Sequence, residues 1–460
     1  MNRYRELRLW PVVILLAACL ALAAGCGSGN GGTAAQDKAS APAALNGATP
    51  VRVMELKNFV AFSQREVFNL RQVITRDSTT SRTIMWQSEG EEKGSFVEYR
   101  VLGPDGNPAG DLFAQGTRRN EEFTEDSQTS WIHTATLNGL KAGTTYQYRL
   151  GFGDNRGPWH QLRTAPDGSA GDTFKALIFT DSQSSDYSDW QKVAMGAWQR
   201  HGDAGFFLNL GDLVDNGQQA FQWREWFTRI EPMVTAIPAA PVMGNHETYT
   251  LDWKVRMPEA YLRLFQLPPL PDGLAAKYGN QFYSFDYGDV HFTVLNTQFR
   301  ELKDFEPDLE KDEVAWFRQD MEQTRKKWKV VLMHKDGLQY SFKHRTTPRP
   351  EGFSDEGRLF MPLFDQYGVD AVLSGHLHSY RNRGHIRNFR RDAEGPLYIM
   401  AGLAGNVRYP DLWKDHALDT KVLPQPETDN YLVLEAGTQE LRFRAYFPDG
   451  SLADEAVVRK

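Results

Sequence analysis

The sequence predicts an α/β protein with an all-β N-terminal domain, in which an antiparallel β-sandwich precedes a four-layer αββα sandwich. Three observations carry this. From about residue 51 to 166 apolar residues alternate over short segments separated by Gly, Asn and Asp turns, the period-two pattern of half-buried antiparallel strands. Past residue 172 short apolar runs alternate with helical stretches, as βαβ units require. Five polar motifs each follow an apolar run, the place where open α/β sheets set their ligands. A chain of 460 residues also exceeds the roughly 250 to 300 at which a single core stops growing, so two folded domains are expected.

The amino terminus reads as an export signal. Arg3, Arg5 and Arg8 form a charged head, and residues 9–22 supply an apolar stretch too short to span a bilayer comfortably. It ends in Leu22-Ala23-Ala24-Gly25-Cys26, which resembles a bacterial lipoprotein cleavage box. Leu16-Ala17-Ala18-Cys19 fits the same pattern. The Gly/Ser/Ala-rich run that follows Cys26 has the composition of a flexible tether, which favours Cys26. Residues 1–26 are therefore read as signal peptide and lipobox with Cys26 lipidated, and 27–50 as a linker. This implies an exported protein held on the periplasmic or cell-surface side by a lipid anchor. The chain has 2 cysteines, so cleavage at Cys26 leaves none to form a disulfide, and stability must come from the core and bound ions. A net charge of -7 without a Lys/Arg block excludes nucleic acid as an expected partner.

Residues 51–168 form the first folded domain. Arg82-Thr83-Ile84-Met85-Trp86-Gln87 and Phe96-Val97-Glu98-Tyr99-Arg100-Val101 alternate as strands. The segment 132–149, with Leu140-Lys141-Ala142-Gly143-Thr144-Thr145-Tyr146 at its centre, resembles a fibronectin type III strand and tyrosine corner, whose hydroxyl closes onto upstream backbone. Trp86, Tyr146 and Tyr148 are read as core rather than as a carbohydrate platform, because alternate aromatic strand positions usually face inward. With no titratable cluster, this domain is expected to shield or shape a neighbouring cleft.

Residues 172–460 form the second. Helices are expected at 190–200, 219–234, 310–326 and 358–367, each followed by a buried-type strand. A hairpin over 281–295 interrupts the series, and 431–434, 441–447 and 456–458 read as short strands closing one sheet.

The motifs are Asp181-Ser182-Gln183, Gly211-Asp212-Leu213-Val214-Asp215, Gly244-Asn245-His246-Glu247, His334 and Gly375-His376-Leu377-His378. Oxygen and imidazole donors in this mixture suit divalent or trivalent first-row metals. Any one of the histidines alone reads as a hydrogen-bonded loop residue; together, in this order after strands, they read as a metal site.

In that order the motifs resemble the calcineurin-like metallophosphoesterase superfamily across the second domain. The tyrosine-corner sandwich, Tyr283-Ser284-Phe285-Asp286-Tyr287-Gly288 and Gly402-Leu403-Ala404-Gly405-Asn406 extend the resemblance to purple acid phosphatases. The resemblance implies a metallophosphoesterase sandwich and two metal ions, Fe, Mn or Zn, which together polarise a phosphoryl group and activate water. It implies that Asp212 bridges them. Asp181 and His378 complete the first, with Gln183 as an extra ligand, and Asn245, His334 and His376 hold the second. His376 and His378, two apart after a strand, suit delivery of one imidazole to each ion. His246 is expected to face the substrate as a catalytic residue. Asp215 either holds and charges it or caps the following helix.

The chain also departs from these relatives. Asp215 stands where purple enzymes carry the tyrosine that colours their ferric iron, and Gln183 where they carry glycine and other members histidine. A colourless enzyme follows. Segment 248–279 has no counterpart; its Trp253, Tyr261, Pro268, Pro269 and Pro271 either rim the cleft or pack a loop. Arg408 and His291 are the remaining candidate substrate contacts, while His291 and His385 lack motif support and otherwise read as ordinary polar residues. The function expected is an extracytoplasmic phosphatase acting on phosphate monoesters of small compounds. Two alternatives stand beside it, a phosphodiesterase or nucleotidase using the same site, and a non-enzymatic surface binding protein.

Overall fold

The computed structural model describes residues 60–61, 66–91, 94–168, 172–343, 351–425 and 428–460. The leader, Cys19, Cys26 and the 27–50 linker lie outside the described residues. Among the described residues no helix is long and apolar enough to cross a membrane.

The N-terminal sandwich has one sheet containing Glu66–Val73, Ser81–Ser88, Gln128–Asn138 and Arg119–Glu125, and a second ordered His160–Arg163, Thr145–Phe152, Ser95–Val101 and Phe113–Gly116. Alternation turns Ile84, Trp86, Val97, Leu137, Tyr146 and Tyr148 into a common core. Trp86 and Tyr148 are fully buried, so they pack rather than form a binding platform. The Tyr146 hydroxyl accepts the Lys141 N–H at 2.8 Å, closing the expected tyrosine corner.

The second domain is built on two sheets. In the first, Phe174–Phe179, Phe206–Asn209 and Ala239–Pro241 run parallel. The antiparallel strands Tyr431–Ala436, Glu440–Tyr446 and Leu452–Arg459 extend it. In the other, Val290–Val294, Trp328–Leu332, Ala371–Ser374 and Leu397–Met400 run parallel between the antiparallel strands Tyr283–Tyr287 and Arg381–Arg387. Phe206 meets Phe285 and Phe292 across the interface, with ring centroids 5.6 and 5.4 Å apart. Helices Ser188–Arg200, Ala220–Arg229, Leu309–Gln323 and Asp355–Tyr367 supply the outer layers. This is the four-layer α/β architecture the periodicity predicts.

The first expected helix begins earlier, at Ser188, and the third ends earlier, at Gln323; two further differences have a visible cause. The stretch 219–234 is two helices, Ala220–Arg229 and Glu231–Val234, meeting at Ile230. Pro232 lies in the first turn of the second, where its missing N–H is tolerated, whereas one continuous helix would need that donor. The helix expected from 358 begins at Asp355, because the Ser354 side chain accepts the Gly357 N–H at 2.9 Å and caps it.

A further difference concerns the join. The first sheet of the sandwich and the first sheet of the α/β domain are one 11-stranded sheet, continuous through a parallel pairing of Val73 with Ala239. The Ile74 N–H donates to the Ala239 carbonyl at 3.0 Å, the Tyr148 hydroxyl to the Thr235 carbonyl at 2.9 Å, and Arg71 Nε to the Leu264 carbonyl at 2.7 Å. Two hydrophobic cores thus share one backbone ladder, which covers the otherwise open edge of Ala239–Pro241.

Candidate metal centre

Every metal-ligand candidate lies in a loop that follows a parallel strand. Asp181 and Gln183 follow Phe174–Phe179, Asp212 follows Phe206–Asn209, and Asn245 follows Ala239–Pro241. His334 follows Trp328–Leu332, and His376 and His378 follow Ala371–Ser374. Asp181, Asp212, His376 and His378 adopt left-handed backbone, with φ of 49°, 51°, 77° and 52°. Asp and His tolerate that region better than most residues, at a cost of about 1–3 kcal/mol each, and such strain clusters at functional sites. Gly211, with φ of 101°, lies where a Cβ would strike the His334 ring, and a Cβ on Gly244 would strike the Asp212 carboxylate. These contacts explain the glycines that precede Asp212 and Asn245.

The loops bring together two overlapping donor groups, Asp181, Asp212 and His378, and Asp212, His334 and His376. Within each the ligand atoms lie within 4.8 Å of one another, and Asp212 belongs to both. His334 Nδ1 lies 2.8 Å from the Leu210 carbonyl, to which it donates, leaving Nε2 a lone pair. Around that nitrogen stand Asp212 Oδ2 at 3.1 Å, Asn245 Oδ1 at 3.2 Å and His376 Nδ1 at 3.2 Å. His378 is fixed the same way, with Nδ1 on the Val407 carbonyl at 2.6 Å and Nε2 3.5 Å from Asp181 Oδ1. Such carbonyl-anchored imidazoles are the tautomers metal ligation requires. Lone pairs converging in a buried space repel unless a cation lies between them, so the donor set fits the metal ions the resemblance implies.

The electrostatics point the same way. Burial opposes ionisation of Asp212, yet His334 and His246 hold it below the usual carboxylate range. Burial likewise opposes an imidazolium at His334, and Asp212 overcomes it, lifting the group to about 9. Asp181 is pushed up by burial, and His376 is pushed down by burial and by His334. A positive charge beside Asp212 is therefore stabilised, and protons and metal ions compete for the same atoms.

Glu247 was not among the predicted site residues. Its buried carboxylate accepts the N–H groups of Gly244 at 2.7 Å, Leu213 at 2.8 Å, Asp212 at 3.1 Å and Val214 at 3.3 Å. It ties the loop of Asp212 to that of Asn245; the signal available was its place at the end of the Gly-Asn-His run. The glycine-rich 402–406 segment braces the Asp181 loop, the Gly405 N–H donating to the Asp181 carbonyl at 3.0 Å.

His246 stands beside the donor groups, its N–H donating to Asp212 Oδ1 at 2.9 Å. Asp215 holds it through its main-chain carbonyl and charges it through its carboxylate: burial opposes the imidazolium, and Asp212 and then Asp215 raise it. His246 Nδ1 donates to the Asp215 carbonyl oxygen at 2.7 Å, while Asp215 Oδ1 is 3.7 Å away. Asp215 does not cap a helix, since the next helix is preceded by Gln219. Gln183 Nε2 faces His246 Nε2 at 3.3 Å, and its Oε1 is buried without a hydrogen-bond partner, an acceptor still able to take a ligand.

The remaining candidate contacts have partners within the chain. His291 is no substrate contact: it sits on a strand interior, bonded to Asp286 at 2.7 Å and Asp320 at 2.8 Å. Burial works against its charge, but these partners raise it to about 9. Arg408 is paired with Asp429 at 2.7 Å through Nη2, its Nη1 being buried without a hydrogen-bond partner, and His385 Nδ1 meets the Gly395 carbonyl at 2.8 Å, the ordinary polar role expected of it. In the 248–279 segment the candidates divide. Trp253 stands 5.9 Å from the His246 ring, on the rim, whereas Tyr261 is buried with its hydroxyl on the Pro241 carbonyl at 2.9 Å.

Comparison with known proteins agrees with this geometry. The family model described as Calcineurin-like phosphoesterase matches residues 171–380, and that described as Purple acid Phosphatase, N-terminal domain, matches 67–164. The chain is 25% identical over 328 residues to purple acid phosphatase 18 of Arabidopsis thaliana, covering 70% of this chain and 68% of that protein. It is 27% identical over 292 residues to purple acid phosphatase 22 of the same plant, covering 60% and 59%. Its fold matches that of a purple acid phosphatase from yellow lupin (Lupinus luteus) seeds with a TM-score of 0.68 at 17% identity, over 85% of this chain and 74% of that one. The chain therefore carries a calcineurin-like phosphoesterase domain, the catalytic domain of metal-dependent phosphoric ester hydrolases, joined to a domain of the kind found at the N-terminus of purple acid phosphatases.

Proposed function

We propose that the protein is an extracytoplasmic phosphatase hydrolysing phosphate monoesters of small compounds at a two-metal centre. Asp181, Asp212 and His378 would hold one ion, with Gln183 Oε1 as a further donor, and Asp212, Asn245, His334 and His376 the other. The observation that carries this reading is the convergence of lone pairs around Asp212, a carboxylate common to both donor groups. Bound Fe, Mn or Zn would supply the charge that polarises the phosphoryl group and activates water.

The chain's own residues do the remainder. Asp212 is oriented by the His246 N–H and by the grip of Glu247 on its own N–H. In hydrolysis a water oxygen bonds to phosphorus as the ester P–O bond breaks, and the departing oxygen takes a proton. His246 suits that role, because Nδ1 is committed to the Asp215 carbonyl and Nε2, which faces Gln183 Nε2 at 3.3 Å, is the nitrogen able to exchange the proton. The location outside the cytoplasm rests on the 1–26 leader and on Cys26 as lipid attachment point.

Metal analysis of purified protein beside hydrolysis of an aryl monophosphate tests the reading. Wild type should bind two ions per chain, and Asp212→Asn should lose ions and more than about 100-fold in kcat/KM, since ligand loss exceeds the cost of removing an outer-shell partner. Wild type that takes up no transition metal and hydrolyses nothing would overturn it in favour of a surface binding protein.

A further inference from the structure

Three of the four imidazoles of the site are bordered by aromatic rings from two directions. On one side Tyr249 and Trp253 lie 5.6 and 5.9 Å from His246, both nearly perpendicular to it. On the other, Tyr409 lies 5.0 Å from His378 and Tyr340 lies 6.3 Å from His376. Trp413 joins that pair, 4.7 Å from Tyr340 and 6.2 Å from Tyr409. The two walls border one donor cluster, because the His246 N–H donates to Asp212 Oδ1 at 2.9 Å and His376 and His378 each share a donor group with Asp212. All five rings are half-buried, so each keeps part of its surface open.

The backbone invests in this arrangement. Residues 249–255 form a tight hairpin closed by the Tyr249–Val255 bridge. The Trp253 N–H donates to the Thr250 carbonyl at 2.9 Å, and the Thr250 N–H to that of Lys254 at 2.8 Å. Trp253 adopts φ of 62°, a left-handed conformation that bulky residues rarely accept and that persists where the surroundings enforce it. The result is an indole held nearly perpendicular to the ring of the candidate proton donor, 5.9 Å away. Nearby cations offer the mouth less. Lys335 is bound by both oxygens of Glu301 at 2.7 Å, and Arg408 is held by Asp429.

A mouth lined by partly open rings matches a ligand with a flat π-face better than a compact, fully hydrated one. We propose that this aromatic collar recognises a planar group on the substrate, so that the preferred esters carry a nucleobase or an aryl ring, with Trp253 as the specificity determinant. The inference rests on the phosphatase reading above and deepens it.

The test compares kcat/KM of the metal-loaded full chain on a nucleoside 5′-monophosphate, an aryl phosphate and glycerol phosphate, for wild type, Trp253→Asn and Trp253→Phe. Asparagine tolerates left-handed backbone and so keeps the hairpin while removing the ring. Wild type should prefer the ring-bearing esters. Trp253→Asn should lose about 10-fold on them, chiefly through KM, with glycerol phosphate unchanged, and Trp253→Phe should recover most of the loss. A loss confined to the nucleotide, or to the aryl ester, supports the inference and identifies which ring is taken. An equal fall on all three esters, or no change on any, overturns it and makes Trp253 a packing residue. Wild type active on all three without preference sinks this inference alone, whereas wild type inactive on all three sinks the phosphatase reading with it.

Discussion

Asp215 follows the shared carboxylate Asp212 by three residues, where the resemblance to purple enzymes calls for tyrosine. Its Oδ1 is buried without a hydrogen-bond partner, while its backbone carbonyl anchors His246. A carboxylate there gives no phenolate charge-transfer band, so iron-loaded protein should show no strong visible absorption near the tyrosinate region. An intense band would instead implicate Tyr409, whose ring lies 5.0 Å from that of His378. The residues proposed as ligands were legible one by one, because a donor after an apolar run is a local signal. Which atom of each residue would be used was not. Asp215 bonds His246 through its main chain while its carboxylate acts on it by charge alone, and a sequence pattern carries no information about that choice.

Strands and their following loops were legible as elements, because burial on both faces leaves a run of apolar residues and the ligand loop begins where the run stops. Helix ends were less so. The Ser354 cap and the break at Ile230 depend on single side-chain and backbone hydrogen bonds rather than on periodicity. The ligand loops themselves depend on Glu247, whose one carboxylate receives N–H groups from both the Asp212 and Asn245 loops. Glu247→Gln turns an amide NH₂ toward some of those donors, so metal affinity should fall about 10 to 100-fold while far-ultraviolet dichroism stays native. Competition against a chromophoric chelator measures this, and an affinity within about twofold of wild type would remove Glu247 from the site's framework.

At the scale of the whole molecule, the sandwich and the α/β domain are joined by backbone pairing and by a partly buried polar cluster. Arg76 of the first donates to Ser284 at 3.2 Å and lies 3.7 Å from Asp320, on which His291 also converges. Burial opposes the charge on His291, but Asp286 and Asp320 raise it to about 9 from the usual 6.5. A group raised on folding stabilises fully below its unfolded value and loses that contribution as pH climbs through its folded one. The Tm gap between wild type and His291→Gln should therefore be widest below pH 6.5 and narrow toward pH 9. A gap that is constant across this range would show that the imidazole is held neutral. By itself the sequence determined the two fold classes, the order of the motifs and the chemistry of their donors, because each is written in short-range periodicity and residue type. Only the tertiary structure decided that Val73 pairs with Ala239, that lone pairs from loops up to 197 residues apart (181 to 378) meet around Asp212, and that five aromatic rings surround the imidazoles. These are contacts between segments distant along the chain, and they exist only once the sheets have packed.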